Sequence, residues 1–216
     1  TFSLENNDDY FGSEEFTVSV ADAEYTDTQT FIVTVANVND APVLAEVLDV
    51  SFDEDGSSDL VTLSATDPDI DDALTYSITG GDQITATQTD TEITFTAATD
   101  FNGTETFTVS VSDAEYTDSQ IMNVTVNAVN DAPIFDAVAD QDINEGDTKV
   151  ILLSAGDVDG DDLTYSITEG TNIESSIDGS TVTFSLENND DYFGSEEFTV
   201  TVIELETDEH YSDSQT

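Results

Sequence analysis

Phe107-Thr108-Val109-Ser110-Val111 alternates apolar and polar residues with a strict period of two. The same alternation runs through Ile93-Thr94-Phe95-Thr96, Leu74-Thr75-Tyr76-Ser77-Ile78 and Phe16-Thr17-Val18-Ser19-Val20. A period of two sends successive side chains to opposite faces of an extended strand, and the β-branched and aromatic residues found here suit a half-buried sheet. No stretch carries the i, i+3, i+4, i+7 apolar stripe of an amphipathic helix. The pattern predicts an all-β chain. Over 41–131 it predicts seven strands: A at 47–52, B at 60–65, C at 74–79, D at 83–88, E at 92–97, F at 105–111 and G at 121–128. Asp55-Gly56, Gly80-Gly81 and Asn102-Gly103 supply turn chemistry between them.

The pattern also repeats. Asn39-Asp40-Ala41-Pro42 returns 91 residues later as Asn130-Asp131-Ala132-Pro133, and residues 1–12 recur unchanged at 183–194. Residues 95–103 are a looser copy of that second segment, two residues shorter. A period of 91 is too long for a solenoid, whose repeats run about 20–45 residues, and fits one β-sandwich of about 100 residues. The expected organisation is therefore strands E–G of one repeat at 1–40, a complete repeat at 41–131, and a repeat at 132–216 lacking its last strand. An array interrupted in this way reads as an excerpt of a longer chain.

Charge narrows the function. Fifty Asp and Glu face a single Lys or Arg, a formal net charge of −49. Nucleic-acid binding needs a basic footprint and docking on anionic lipid needs basic clusters, so both are excluded. No apolar run reaches the ~18 residues of a membrane-spanning helix. There is no Cys, so disulfides and thiol chemistry are excluded as well. The acidic residues gather between the strands and leave the strand faces nearly neutral with Thr and Ser. That is a protein built to live among cations.

In a sandwich whose strands alternate up and down, the A–B, C–D and E–F loops share one end. The B–C, D–E and F–G loops share the other end with the entering chain. The acidic motifs fall on these loops. The B–C loops read Asp67-Pro68-Asp69-Ile70-Asp71-Asp72 and Asp157-Val158-Asp159-Gly160-Asp161-Asp162. The F–G loops carry Asp113-Ala114-Glu115, Asp22-Ala23-Glu24 and an approximate Glu204-Leu205-Glu206. Glu54 and Glu145 follow strand A at one register, and Asp8-Asp9, Asp100 and Asp190-Asp191 sit in E–F loops.

These motifs resemble tandem cadherin-like and Ig-like repeats, above all those of bacterial calcium-binding surface adhesins and biofilm proteins. The likeness is carried by Asn-Asp-Ala-Pro at the linker, Asp-x-Asp in the B–C loop and Glu after strand A. It covers essentially the whole chain and implies Greek-key β-sandwiches of about 91 residues. It also implies calcium bound where successive repeats meet. The candidate ligands are Asn39, Asp40, Glu54, Asp67, Asp69, Asp100, Asp113, Glu115, Asn130, Asp131, Glu145, Asp157, Asp159 and Asp161. The Asp-Arg-Glu element of animal cadherins is absent here, replaced at best by the regions around Asp100 and Asp190. The donor chemistry agrees independently: calcium takes 6–8 oxygen ligands, and clusters of Asp, Glu and Asn without His or Cys disfavour zinc and copper. Two carboxylates about 4 Å apart repel by roughly 4 kcal/mol at an effective dielectric of 20, so clustered acids need a cation or must splay apart. Asp118, Asp27 and Asp213 read as turn residues, and acidic loops without such registration are commonly solvated surface.

Enzymatic chemistry is not expected. The single His210 cannot repeat a Ser-His-Asp set, and Lys149 is isolated. The sequence thus predicts a non-enzymatic extracellular module, a calcium-rigidified rod or spacer of a cell-surface adhesin or fibre. Its partners would be neighbouring repeats, with cell-surface glycans or other copies in a fibre as further ones. A calcium-dependent carbohydrate- or ligand-binding module is the alternative, with the irregular segment 205–211 as its place.

Overall fold

The structure, a computed structural model, describes residues 2–3, 9–186, 191–205 and 211–216. Asp8, Asp190, Glu206 and His210, and with them most of the irregular 205–211 segment, lie outside these residues. Every regular element among the described residues is a strand, and none of them is a helix long and apolar enough to cross a membrane. The chain divides into two compact units, Thr1–Ala128 and Val129–Thr216.

The first unit opens with a hairpin of β1 (Gly12–Ala21) and β2 (Thr26–Val35). It continues with β3 (Val43–Leu44), β4 (Val50–Asp53), β5 (Val61–Thr62), β6 (Ala65–Thr66), β7 (Thr75–Gly80), β8 (Ile84–Thr89), β9 (Glu92–Ala97), β10 (Gly103–Ser112) and β11 (Thr117–Asn127). One sheet has the order β4-β11-β10-β7 and the facing one β5-β9-β8, with a small β3-β6 pair. All pairs are antiparallel except β4 with β11. Strict up-and-down alternation requires that exception, because the first and seventh strands run the same way. The apolar halves of the alternating strands meet between the sheets. Phe107, Val109 and Val111 of β10 and Met122, Val124 and Val126 of β11 pack with Ile93 and Phe95 of β9. Phe95 and Phe107 meet edge to face at 5.1 Å, a favourable aromatic geometry.

Strands C to G fall close to their expected positions, as β7 to β11. Strands A and B differ: each is split into two short pieces, β3 with β4 and β5 with β6. The reason is a change of sheet. Strand A begins beside strand B at β3 and ends beside strand G at β4. Gln120 bridges the crossing, donating from Nε2 to the Leu44 carbonyl and accepting the Val47 N–H on Oε1. Asp118 accepts the Leu44 N–H at 2.8 Å. Asp118 is therefore a latch on strand A and not a turn residue, and Asp213 does the same for Phe135 in the second unit.

The β1–β2 hairpin has the register of β10–β11 shifted by one repeat, from Gly12↔Val35 to Ala21↔Thr26 against Gly103↔Val126 to Ser112↔Thr117. Burial differs sharply. Val18 is 57% exposed where its counterpart Val109 is 0% exposed.

The second unit contains β12 (Ile134–Phe135), β13 (Thr148–Leu152), β14 (Ala155–Gly156), β15 (Leu163–Ile167), β16 (Glu174–Asp178), β17 (Thr181–Ser185), β18 (Val200–Glu204) and β19 (Ser212–Gln215). Its sheets are β13-β17-β16 and β15-β18-β19, with a β12-β14 pair. The four-residue β19 lies beside β18 where β11 lies beside β10, a strand the sequence expectation for 132–216 did not include. Val182, Val200, Val202, Leu153 and Phe135 form the core. In each unit the B–C loop and the C-terminal end of β10 or β18 thus lie at one end, where the preceding linker enters.

Candidate metal centres

Within the first unit, strand order brings the linker, the B–C loop and the β10–β11 turn together. Asn39 Nδ2 donates to Asp113 Oδ2 at 2.8 Å, and the Asp40 N–H donates to Asp69 Oδ2 at 2.8 Å. The B–C loop folds on its own first residue: Asp67 Oδ1 accepts the Asp69 N–H at 2.8 Å. Pro68 suits such a turn because its fixed φ needs no N–H donor. One carboxylate oxygen each from Asp67, Asp69 and Asp72 lies within 4.8 Å of the others. Asp67 Oδ2 is buried and accepts no hydrogen bond, and Asp69 is only 5% exposed.

The electrostatics follow from this crowding. Desolvation first, then the charges of Asp9, Asp69 and Asp67, push the Asp40 carboxyl above its ordinary value. Asp72 is raised by desolvation and then by Asp69, Asp67, Asp113 and Asp71. Asp113 goes the other way, lowered by the Tyr116 N–H first and by Asn39 and the Glu115 N–H, against an opposing desolvation. It is fixed as an anion by its donors.

The second unit repeats the scaffold. The Asp131 N–H donates to Asp159 Oδ2 at 2.8 Å, and Asp157 Oδ1 accepts the N–H groups of Asp159, Gly160 and Asp161 at 2.9, 3.1 and 3.3 Å. Asn130 Nδ2 donates to Glu204 Oε1 at 2.6 Å. Here the three carboxylates within 4.8 Å are Asp157, Asp161 and Glu204. Glu204 is 0% exposed, and both its Oε2 and Asp157 Oδ2 are buried without a hydrogen-bond donor. A buried charged oxygen with no donor costs several kcal/mol unless a cation answers it.

Of the sequence candidates, Asn39, Asp40, Asp67, Asp69 and Asp113 gather in the first unit, and Asn130, Asp131, Asp157, Asp159 and Asp161 in the second. Glu115 is exposed and contributes its N–H to Asp113 Oδ1. Glu54, 6% exposed, follows β4 and donates its N–H to the Asn127 carbonyl, at the end of that sandwich opposite Asp67. Asp100 precedes β10 at the same far end, with a positive φ of 56°. Glu145 is exposed ahead of β13, away from Asp157 in its own unit.

Two participants were not among the candidates. Asp72 closes the B–C motif of the first unit but is absent from the candidate ligands. Glu204 read as an approximate match, although it stands 91 residues after Asp113. That spacing was the signal that could have found it. Two other acids proved structural. Glu105 accepts the N–H groups of Asp82, Gln83 and Ile84, and Glu196 those of Thr171, Asn172 and Ile173.

All donors in both clusters are oxygens. Oxygens no more than 4.8 Å apart can share an ion at the 2.3–2.6 Å typical of calcium. The residues present fit that ion.

A family model described as Bacterial Ig domain matches residues 39–125 and 130–215, two segments whose starts lie 91 residues apart. Among curated proteins no sequence match is found. Among solved structures, a protocadherin ectodomain, PcdhgB3 EC1-4, is similar at 15% identity over 98% of this chain, with a TM-score of 0.61. The chain spans 57% of that structure's length, and at this identity the likeness is one of fold. Mouse protocadherin-24 EC1-3 matches at 16% identity over 94% of this chain and 77% of that one, with a TM-score of 0.46. An endo-fucoidan hydrolase of glycoside hydrolase family 107 matches at 18% identity over 95% of this chain and 33% of its own, with a TM-score of 0.38. A superposition that loose says nothing of activity.

Proposed function

Because the chain belongs to the Bacterial Ig domain family and folds as tandem cadherin-like sandwiches, we propose that it is a non-enzymatic extracellular repeat module. In this reading it is a calcium-stiffened rod or spacer of a cell-surface adhesin or fibre, acting in cell adhesion or biofilm. The observation that carries the proposal is the convergence, in each unit, of linker, B–C loop and strand F acid around buried carboxylate oxygens that have no donor. Asp67, Asp69 and Asp72 would hold an ion in the first unit, and Asp157, Asp161 and Glu204 in the second. Calcium supplies the positive charge that such oxygens lack. Asn39 and Asn130 orient the strand F acid, and Asp69 and Asp159 hold the linker N–H groups. Ordering the linker against the sandwich restricts bending between neighbouring repeats, the partners this role requires.

The test is calorimetry and small-angle scattering in millimolar calcium and in EGTA. Calcium at a hundredfold excess over its dissociation constant adds about 2.7 kcal/mol to stability. A higher melting temperature and a longer, narrower particle in calcium support the proposal. Identical melting curves and scattering profiles in the two buffers overturn it.

A further inference from the structure

The two acidic centres share a scaffold but part at one side chain. Asp113 spends both its oxygens on the protein: Oδ1 accepts the Glu115 and Tyr116 N–H groups at 2.8 and 2.7 Å, and Oδ2 accepts Asn39 Nδ2 at 2.8 Å. Glu204, one repeat later, serves Asn130 and Tyr211, the counterparts of Asn39 and Tyr116, with a single oxygen. Its Oε1 accepts both Asn130 Nδ2 at 2.6 Å and the Tyr211 N–H at 3.1 Å, leaving Oε2 buried and without a donor. The B–C loop changes with it. Eight positions separate Asp157 from Tyr165, where nine separate Asp67 from Tyr76. The shorter loop is thus accompanied by a carboxylate one methylene longer. Accordingly Glu204 lies in its acidic cluster with Asp157 and Asp161, whereas the cluster of the first unit is built from the B–C loop alone.

We propose that the two centres are unequal, and that Glu204 makes the second unit's centre the tighter divalent-cation site. Glu204 offers an oxygen directly to the ion. Asp113 positions the linker and the hairpin and offers none. Calcium affinity follows the number of charged ligands and the rigidity of their cage; each cluster has three carboxylates, and rigidity favours the second unit. Its third carboxylate is fully buried and braced by two donors, while Asp72 in the first unit is not fully buried. The inference rests on the proposed calcium binding and adds the order in which the sites fill.

Isothermal titration of the 216-residue chain with CaCl2 tests it. Two classes of site are expected. Glu204→Gln keeps an oxygen for Asn130 and Tyr211 but removes the charge, and should weaken the tighter class by roughly tenfold or more while leaving the weaker one unchanged. Asp113→Asn should weaken the looser class through linker positioning and leave the tighter one alone. Circular dichroism in EGTA checks that each variant is folded. If Glu204→Gln does not fold, Asp157→Asn must remove the same class. Absence of any calcium heat overturns the calcium reading itself. Calcium binding in a single class, or a tight class untouched by both second-unit variants, overturns only the inequality.

Discussion

Asp157→Asn distinguishes a metal centre from an acidic loop that is merely solvated, because only a metal centre makes the effect of the substitution depend on calcium. In the second unit the oxygens of Asp157, Asp161 and Glu204 lie within 4.8 Å of one another. At that separation and an effective dielectric of about 20, each pair of charges costs roughly 3.5 kcal/mol, and Asp157 belongs to two of the three pairs. Side-chain relaxation and salt screening remove much of this, leaving a gain of about 1–3 kcal/mol on neutralising Asp157. The turn survives, since the amide oxygen can accept the three N–H groups that Oδ1 accepts now. Without divalent ions the substitution should therefore raise the melting temperature, by about 4–8 °C per kcal/mol for a unit of this size. In millimolar calcium about 1.4 kcal/mol of that gain should be lost, because a tenfold weaker site forfeits that much linkage. Differential scanning calorimetry in EGTA and in CaCl2 measures both. A shift of the same size in the two buffers, or none in either, would refute the reasoning.

Three further outcomes follow from the fold. Val109→Ala should cost about 2–3 kcal/mol in chemical denaturation, because that side chain is fully enclosed, while Val18→Ala at the same register should cost under about 0.5 kcal/mol. Amide hydrogen exchange should be faster in β1–β2 than in β10–β11 despite matching registers, since protection depends on the packing over a hairpin as well as on its pairing. Glu105→Ala should cost about 2 kcal/mol by removing the acceptor of three backbone N–H groups. Desolvation raises the Glu105 carboxyl, but the Gln83, Asp82 and Ile84 N–H groups outweigh it and hold it below its ordinary value. Its stabilisation is therefore complete above the ordinary glutamate range and is lost as pH falls through the folded value. Glu105→Gln should flatten that part of the acid-unfolding curve.

Period-two alternation alone placed strands C to G, because a half-buried strand writes its inside and outside directly into the chain. The exact 91-residue spacing of Asn39-Asp40 and Asn130-Asp131 gave the tandem organisation, and alternation of strand direction gave the shared end of the B–C and F–G loops. Strands A and B were less legible. Their splitting depends on Gln120 reaching Leu44 and Val47, residues more than seventy positions away. No local pattern encodes such a pairing.

The carboxylates show the same division more sharply. By itself the sequence determined that acids cluster on loops and that those loops recur, since composition and register are properties of the chain. Only the tertiary structure decided what each acid does. Glu105 staples a turn, Asp118 latches strand A, Asp113 is consumed by its neighbours, and Glu204 keeps one buried oxygen uncommitted. A carboxylate's role is set by how many N–H donors reach it and how much water is kept away, and both are fixed by segments far apart in sequence.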